Sequence, residues 1–375
     1  MGKKVAILTL PLIYNYGAIL QAFALQKSVK SLGAECWLID KKLPVYPYLR
    51  RPLSIISRIY GKYVKHETGY SVFPYWVSQK DNDIISQNTR RFVDKYISPK
   101  TKPILKLSKK IDKFDIYLVG SDQVWRKSVT LHMFDYLLGF VAKEKKKCSY
   151  AASFGVDYWE FSQSLTTKLK PLFENFDIIT VREDSAIDML REHIGVEAAQ
   201  VLDPTLLLSE NDYCELISDL PLSDDSPFIF SYILDKNPEK GILEEEISCQ
   251  LNKSLYSVIP KNTPNYGVDL NECVYPAVEE WLRGFRDCEY VVTDSFHGTV
   301  FSIIFNKPFF VLRNNKRGNT RLESLLRLFN LNSRIVTNKD DVIECMTHPI
   351  NWAEISHDLF KYREQSLVLL SDMVK

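Results

Sequence analysis

Short apolar runs alternate with helical patterns along this chain, in two successive blocks, and few folds accommodate that pattern. Val5–Leu10 (VAILTL) is a continuous apolar run of the kind buried on both faces of a parallel sheet. Asn15-Tyr16-Gly17-Ala18 follows, then a helical pattern over Ile19–Leu32 that stops at Gly33, then a second strand over Glu35–Asp40. This is a βαβ unit, whose crossover is right-handed. Further strands are expected over Phe114–Val119, Lys147–Ser153, Phe176–Val181 and Ala199–Leu202. After Asp203-Pro204 the alternation restarts, with strands over Phe228–Leu234, Ser254–Ile259, Tyr290–Thr293 and Pro308–Leu312. The pattern predicts an α/β protein with two Rossmann-like, doubly wound domains facing across a cleft. The expected domains are residues 1–205 and 206–350, with a linker region at Pro221–Pro227. Residues 351–375 carry an amphipathic helix, Trp352–Met373, expected to cross back to the first domain. A length of 375 residues suits two such cores.

Charge and cysteine spacing narrow the chemistry. With a formal net charge of +1 there is no global field to hold nucleic acid, so any anion site must be local. The cysteines at 36, 148, 214, 249, 273, 288 and 345 contain no pair spaced as in a zinc knuckle or a redox motif. They read as reduced thiols, and no metal is expected. Met1–Leu10 has neither a long apolar core nor a small-residue cleavage site, and no apolar run reaches the roughly 18 residues that span a bilayer. The expected location is the cytoplasm. Residues 41–80 depart from the pattern, being rich in Tyr, Pro and Arg. They read either as a long excursion packed on the first domain or as a basic, aromatic surface. Such a surface would touch a glycan or make peripheral contact with the inner face of the membrane.

Open α/β sheets bind ligands outside the carboxyl ends of their strands. Thr293-Asp294-Ser295-Phe296-His297-Gly298-Thr299 follows one strand and opens an apolar helix. Ser295 or Asp294 can cap that helix, its free N–H groups attract an anion, Gly298 allows close approach, and His297 can donate a proton. Gly120-Ser121-Asp122-Gln123-Val124-Trp125 ends another strand and suits a sugar, with hydroxyls on Asp122 and Gln123 and a pyranose face on Trp125. Arg182 leaves a third strand and can grip a phosphate or carboxylate, or else pair with Glu183 or Asp184. The turn Asn15–Ala18 lacks the G-x-G-x-x-G spacing, so no dinucleotide cofactor is expected. P-loop, H-E-x-x-H and G-x-S-x-G motifs are also missing, which removes the common NTPase, zinc-hydrolase and serine-hydrolase readings.

Four segments together resemble the polysaccharide pyruvyl transferase family: NYGAILQAFALQKSVKSLG, GSDQVW with SYAASFG, VREDSAIDML with VLDPTLLL, and VVTDSFHGTVFSIIFNKPFF. Arg321, in NTRLESLLRLFNL, lies in a similar C-terminal stretch, whereas Trp125-Arg126-Lys127 departs from the W-N-P of many members. The resemblance implies a fold similar to the two-domain GT-B glycosyltransferases, no required cofactor or metal, and phosphoenolpyruvate as co-substrate. It also implies that Arg182 and His297 hold the donor, with Ser295, Gly298, Thr299 and Arg321 beside them. The acceptor would be a glycan or a lipid- or nucleotide-linked sugar, met by Asn15, Tyr16, Gly17, Ser121, Asp122, Gln123 and Trp125.

The chemistry of such a donor requires cations or N–H dipoles for phosphate and carboxylate, an acid and a base. His297 is the leading acid or phosphate ligand, and either Asp122 or Asp294 is the base. Two rival readings are a nucleotide-sugar glycosyltransferase of the same fold and a non-catalytic glycan-binding protein.

Overall fold

A computed structural model describes residues 2–42, 55, 60, 76–108, 111, 113–130, 132–223, 227–314 and 320–375. The first sheet contains β1 (Lys4–Leu8), β2 (Glu35–Leu38), β3 (Ile116–Asp122), β4 (Lys146–Ala152), β5 (Ile178–Val181) and β6 (Ala199–Gln200). Its order is β2-β1-β3-β4-β5-β6, parallel throughout, with Ile7 opposite Leu38 on one side and Leu118 on the other. The second sheet contains β7 (Ile229–Tyr232), β8 (Leu255–Tyr256), β9 (Tyr290–Thr293), β10 (Phe309–Leu312) and β11 (Ile335–Val336). Its order is β11-β10-β9-β7-β8, again parallel, with Phe230 opposite Val291. The protein is thus α/β, with two parallel sheets and the strands expected from the apolar runs. The exception is β11, which lies outside the expected runs.

Strand order reverses direction once in each sheet, between β1 and β3 and between β7 and β9. At such a switch point the chain leaves toward opposite faces of the sheet, and a crevice opens at the strand carboxyl ends. One helix leaves each crevice: Tyr16–Ser31 after β1, and Phe296–Ile304 after β9. Both are buried almost all round. A helix with that pattern must be covered by more than one layer, and here each is covered by its own sheet and by the other domain.

The largest apolar core accordingly runs through both sheets without a break, from Ile7 and Leu118 to Phe230 and Val291. Tyr16 reaches from the first domain into the second, where its ring stacks on Trp281 at 5.6 Å and its hydroxyl donates to Pro276 O at 3.0 Å. The terminal helix Trp352–Val374 packs back on the first domain. Arg363 donates there to Leu206 O and Leu208 O, and the Ser366 hydroxyl accepts from Leu202 N. Most of the 41–80 stretch and residues 224–226 of the linker region lie outside the described residues. Among the described residues, no helix is long and apolar enough to cross a membrane.

A shared core implies shared unfolding. Trp281 is fully buried, and Trp281→Ala should cost about 3–5 kcal/mol, the usual scale for emptying a large aromatic site. Urea unfolding followed by circular dichroism and by tyrosine fluorescence should show one coincident transition, moved to lower urea. A variant that loses one half of its signal early would mean two independent cores.

Candidate active site

The two switch points face each other, and charged side chains from both meet between them. From the first domain come Asp122, at the end of β3, Arg182, just past β5, and Asp203, after β6. Arg182 donates through Nη1 to Asp203 Oδ2 at 2.9 Å and through Nη2 to Asp122 Oδ1 at 3.2 Å. From the second domain, His297 brings Nε2 to 3.7 Å from Asp203 Oδ2, and Arg321 brings Nη1 to 3.9 Å from Asp122 Oδ1. The Phe296 ring lies under both guanidinium groups, 4.4 Å from Arg182 Cζ and 5.8 Å from Arg321 Cζ. These side chains are all buried. Asp122, Phe296, His297 and Arg321 border a cavity of about 50 Å³ lined also by Asn15, Gln123, Ser295 and Leu322, and Arg182 and Asp203 stand behind that lining, bonded to each other.

Burial opposes charge throughout the cluster, so the ionic state depends on the partners. Burial disfavours the Asp203 carboxylate, but His297, Arg182 and the Thr205 hydroxyl outweigh it and hold that carboxyl far below its ordinary range. Burial likewise acts against Asp122, where Arg182, His297 and Arg321 prevail and lower it. Arg182 is buried too, yet its two carboxylates raise it above the ordinary arginine value. Arg321 behaves in the opposite way. Burial, then repulsion from Arg182, bring it down to about 10 despite the pull of Asp122.

Helix starts supply the remaining polarity. Asn15 caps the first helix by accepting from Ala18 N, and Ser295 caps the second by accepting from Gly298 N. Capping at those positions leaves the Tyr16, Gly17, Phe296 and His297 N–H groups beyond the reach of the helix ladders. Gly17 has a steric reason to be glycine. A Cβ there would stand 2.0 Å from His297 Nδ1, so the bare backbone is what lets the imidazole of one domain lie on the helix of the other. Asp122 holds a left-handed backbone with φ +74°, a conformation tolerated by aspartate and uncommon for most side chains.

Several expected site residues do other work. Trp125 is fully buried among Phe154, Phe173 and Phe176, with its indole N–H donating to Tyr136 O, and offers no face to a sugar. Asp294 accepts from Leu234 N, Asp235 N, Asn314 Nδ2 and Lys240 Nζ, which leaves it no capacity as a base. Gly298 packs against the Thr293 side chain, where a Cβ would meet Oγ1 at 2.1 Å, and not against an open anion path. Thr299 turns its hydroxyl to Ser295 O. Tyr16 is a buried interdomain wedge. Ser121 donates to Ala151 O and lies 3.3 Å from Asp203 Oδ2, so it supports the cluster from behind. Gln123 lines the cavity while accepting from Arg126 Nη1. Arg182 pairs with Asp122 and Asp203, not with its sequence neighbours Glu183 or Asp184. Glu183 instead ties down the turn after β4, accepting from Ser153 Oγ, Phe154 N and Gly155 N.

Asp203 and Phe296 were not singled out from the sequence as site residues. Their position after a strand end was the available signal. Among the described residues, no group of three or more His, Cys, Asp or Glu is arranged to hold a metal ion.

Fold and site together define a two-domain α/β protein with a buried cluster of arginines, carboxylates and a histidine where the domains meet. The chain belongs to the polysaccharide pyruvyl transferase family, whose pattern it matches over residues 15–316. A comparison with curated proteins finds no match. Among solved structures, the glycosyltransferase of kitacinnamycin is similar at 11% identity and a TM-score of 0.48, covering 100% of both chains. The UDP-GlcNAc 2-epimerase from Neisseria meningitidis, bound to UDP-GlcNAc, is similar at 13% identity and a TM-score of 0.46, covering 98% of this chain and 94% of that one. The UDP-GlcNAc 2-epimerase from Methanocaldococcus jannaschii gives 12% identity and a TM-score of 0.46 over 93% of each chain.

The lowered carboxyls make acid stability a test of the cluster. Asp203 and Asp122 ionise more readily folded than unfolded, where the value is about 3.9. Their contribution is therefore complete above about pH 5 and is lost as pH falls through and below 4. Melting temperatures from pH 7 to 3 should fall steeply below 4 in the native protein. Asp203→Asn should start lower at pH 7 and fall less steeply. Parallel curves would remove Asp203 from the ionic cluster.

Proposed function

We propose that the protein transfers the pyruvyl unit of phosphoenolpyruvate to a pair of sugar hydroxyls, forming a cyclic ketal and releasing phosphate. The observation that carries this reading is the convergence of Arg321, His297 and two helix starts on one buried cavity, with Arg182 held against Asp122 and Phe296 of its wall. Arginines and N–H dipoles suit a small, highly charged donor bearing both a phosphate and a carboxylate. An anion in the cavity is also the counterion that Arg321, held down by burial and by Arg182, is suited to meet.

His297 is the acid of the scheme. It delivers its proton to the methylene carbon of the donor, which makes C2 electrophilic, and the first sugar hydroxyl adds there. Asp122, lining the cavity, accepts the hydroxyl proton. The C2–O bond to phosphate then breaks, the electron pair leaving with phosphate, which takes up the proton held by Asp122, and the neighbouring hydroxyl closes the ring and passes its proton to His297. Asp203 acts as a positioning residue. Its carboxylate faces His297 Nε2 at 3.7 Å and sets the orientation of the ring. No cofactor beyond the co-substrate enters the scheme. The acceptor is a sugar of a surface polysaccharide or of its precursor.

Phosphate release from phosphoenolpyruvate in the presence of a candidate acceptor, with the product mass gaining a pyruvyl ketal, is the direct test. Nucleotide release from a nucleotide sugar instead would identify a glycosyltransferase. His297→Ala and His297→Gln should both fold and both lose at least about 100-fold in turnover, the scale of a general acid. The Gln variant should retain more donor affinity, because its amide still donates one hydrogen bond. Full activity in a destabilised His297→Ala protein would reduce His297 to a packing residue.

Gly17→Ala tests the seat of the ring. The added methyl must displace the imidazole, so kcat should fall at least tenfold while the melting temperature changes by only a few degrees. Unchanged kcat would show that the ring position is not critical.

A further inference from the structure

A second, larger cavity of about 520 Å³ opens beside the inner one and shares the wall residue Leu234 with it. It lies at the carboxyl ends of β7 and β8, where the segments 232–236 and 259–264 form its sides. The outer cavity has roughly ten times the volume of the inner one. It falls in the range of roughly 300–1,000 Å³ that encloses a ligand of drug size.

Its chemistry is uneven. The inner wall is aromatic, built from Tyr16, Tyr232 and Tyr275. Tyr275 is itself braced by Tyr14, stacked on it at 4.7 Å and 15°. Tyrosine rings present flat faces on which a pyranose or a base can lie. The rim carries Lys236 and Lys261, both exposed and neither engaged by another described residue. The one carboxylate in the lining, Asp235, accepts from Asn314 Nδ2. The charge offered to a ligand is therefore cationic. A neutral glycan needs carboxylates and amides for its hydroxyls, whereas two free ammonium groups suit phosphates.

The backbone leading to one lysine is anchored to the inner site. Asp294 accepts from Leu234 N at 2.7 Å and from Asp235 N at 3.1 Å, and Lys240 Nζ bridges Asp235 O at 3.1 Å and Asp294 Oδ2 at 2.5 Å. The residue immediately before Lys236 is thus tied to the same turn that carries His297.

We propose that this outer cavity binds the acceptor as a sugar diphosphate, with the diphosphate on Lys236 and Lys261 and the sugar against the tyrosines, its hydroxyls directed past Leu234. The proposal rests on the transfer reading above for its orientation, while the binding itself is measured independently. A nucleoside or a polyprenyl chain can carry that diphosphate, and the probes distinguish them. Calorimetric titrations use UDP, farnesyl diphosphate and the neutral disaccharide cellobiose, each with phosphoenolpyruvate present in excess. At least one diphosphate probe should bind the native protein, and cellobiose should not. The Lys236→Ala/Lys261→Ala double variant should lose at least tenfold in affinity for that probe, with unchanged melting temperature and unchanged phosphoenolpyruvate affinity. Preference for UDP would identify a nucleotide-linked acceptor, and preference for farnesyl diphosphate a lipid-linked one. Failure of both diphosphates to bind, or equal binding by the double variant, would overturn the proposal. If phosphoenolpyruvate alone fails to bind while the lysine-dependent diphosphate site stands, the donor assignment is what has failed.

Discussion

Arg182 is bonded to two buried carboxylates, and much of the molecule is arranged around that pairing. Asp122 ends β3 and Asp203 follows β6, while Arg182 itself leaves β5 with its N–H on Ala152 O at the end of β4. One arginine, through its guanidinium and its backbone N–H together, therefore links the ends of β3, β4 and β5 with the segment after β6. Removing any member would leave a buried charge without its partner, which costs several kcal/mol and makes the arrangement hard to vary piecemeal. The face of the same guanidinium lies on Phe296 of the second domain. The interaction that organises the strand ends also seats the other domain on them.

The remaining contacts of Asp203 extend this logic. One oxygen holds Thr205 through both its N–H and its hydroxyl. The other takes Arg182 and faces Ser121 Oγ and His297 Nε2. A carboxylate fixed from so many sides cannot rotate to follow the histidine. The imidazole must come to it, and the missing Cβ of Gly17 leaves room for the ring there. Backbone, ion pairs and domain packing thus specify one position for His297.

Sequence legibility followed physical lines. Doubly buried parallel strands are apolar along their whole length, so β1, β3 and β7 stood out, and the carboxyl-end rule then led to Asp122, Arg182 and His297. Asp203 was read as the close of a domain because an aspartate before a proline is also a common turn. Only the distant partners Arg182 and His297 distinguish the two roles. Asp294 could be read as a cap or a base for the same reason, and its binding by Asn314 and Lys240, 20 and 54 residues away, is not visible locally. Trp125 marked a real strand end, but period and residue type do not say whether a side chain after the last residue turns to the cleft or to the core. Phe296 looked like one more apolar helix residue, and its value lies in the two guanidinium groups above it.

Each of the contacts that complete the candidate site crosses between the domains. Asp203 and His297 belong to opposite sides, as do Asp122 and Arg321, and Arg182 and Phe296. A histidine whose neighbouring carboxylate sits on another domain exists as a pair only when the domains are together. Separation would return His297 to solvent on one side and leave Asp122 and Asp203 satisfied by Arg182 on the other. The first domain stays electrostatically intact either way, because its charges pair internally. The second contributes His297 and the additional arginine, Arg321. That division makes the pairing of His297 with Asp203, and of Arg321 with Asp122, a property of the assembled domains and of neither one alone.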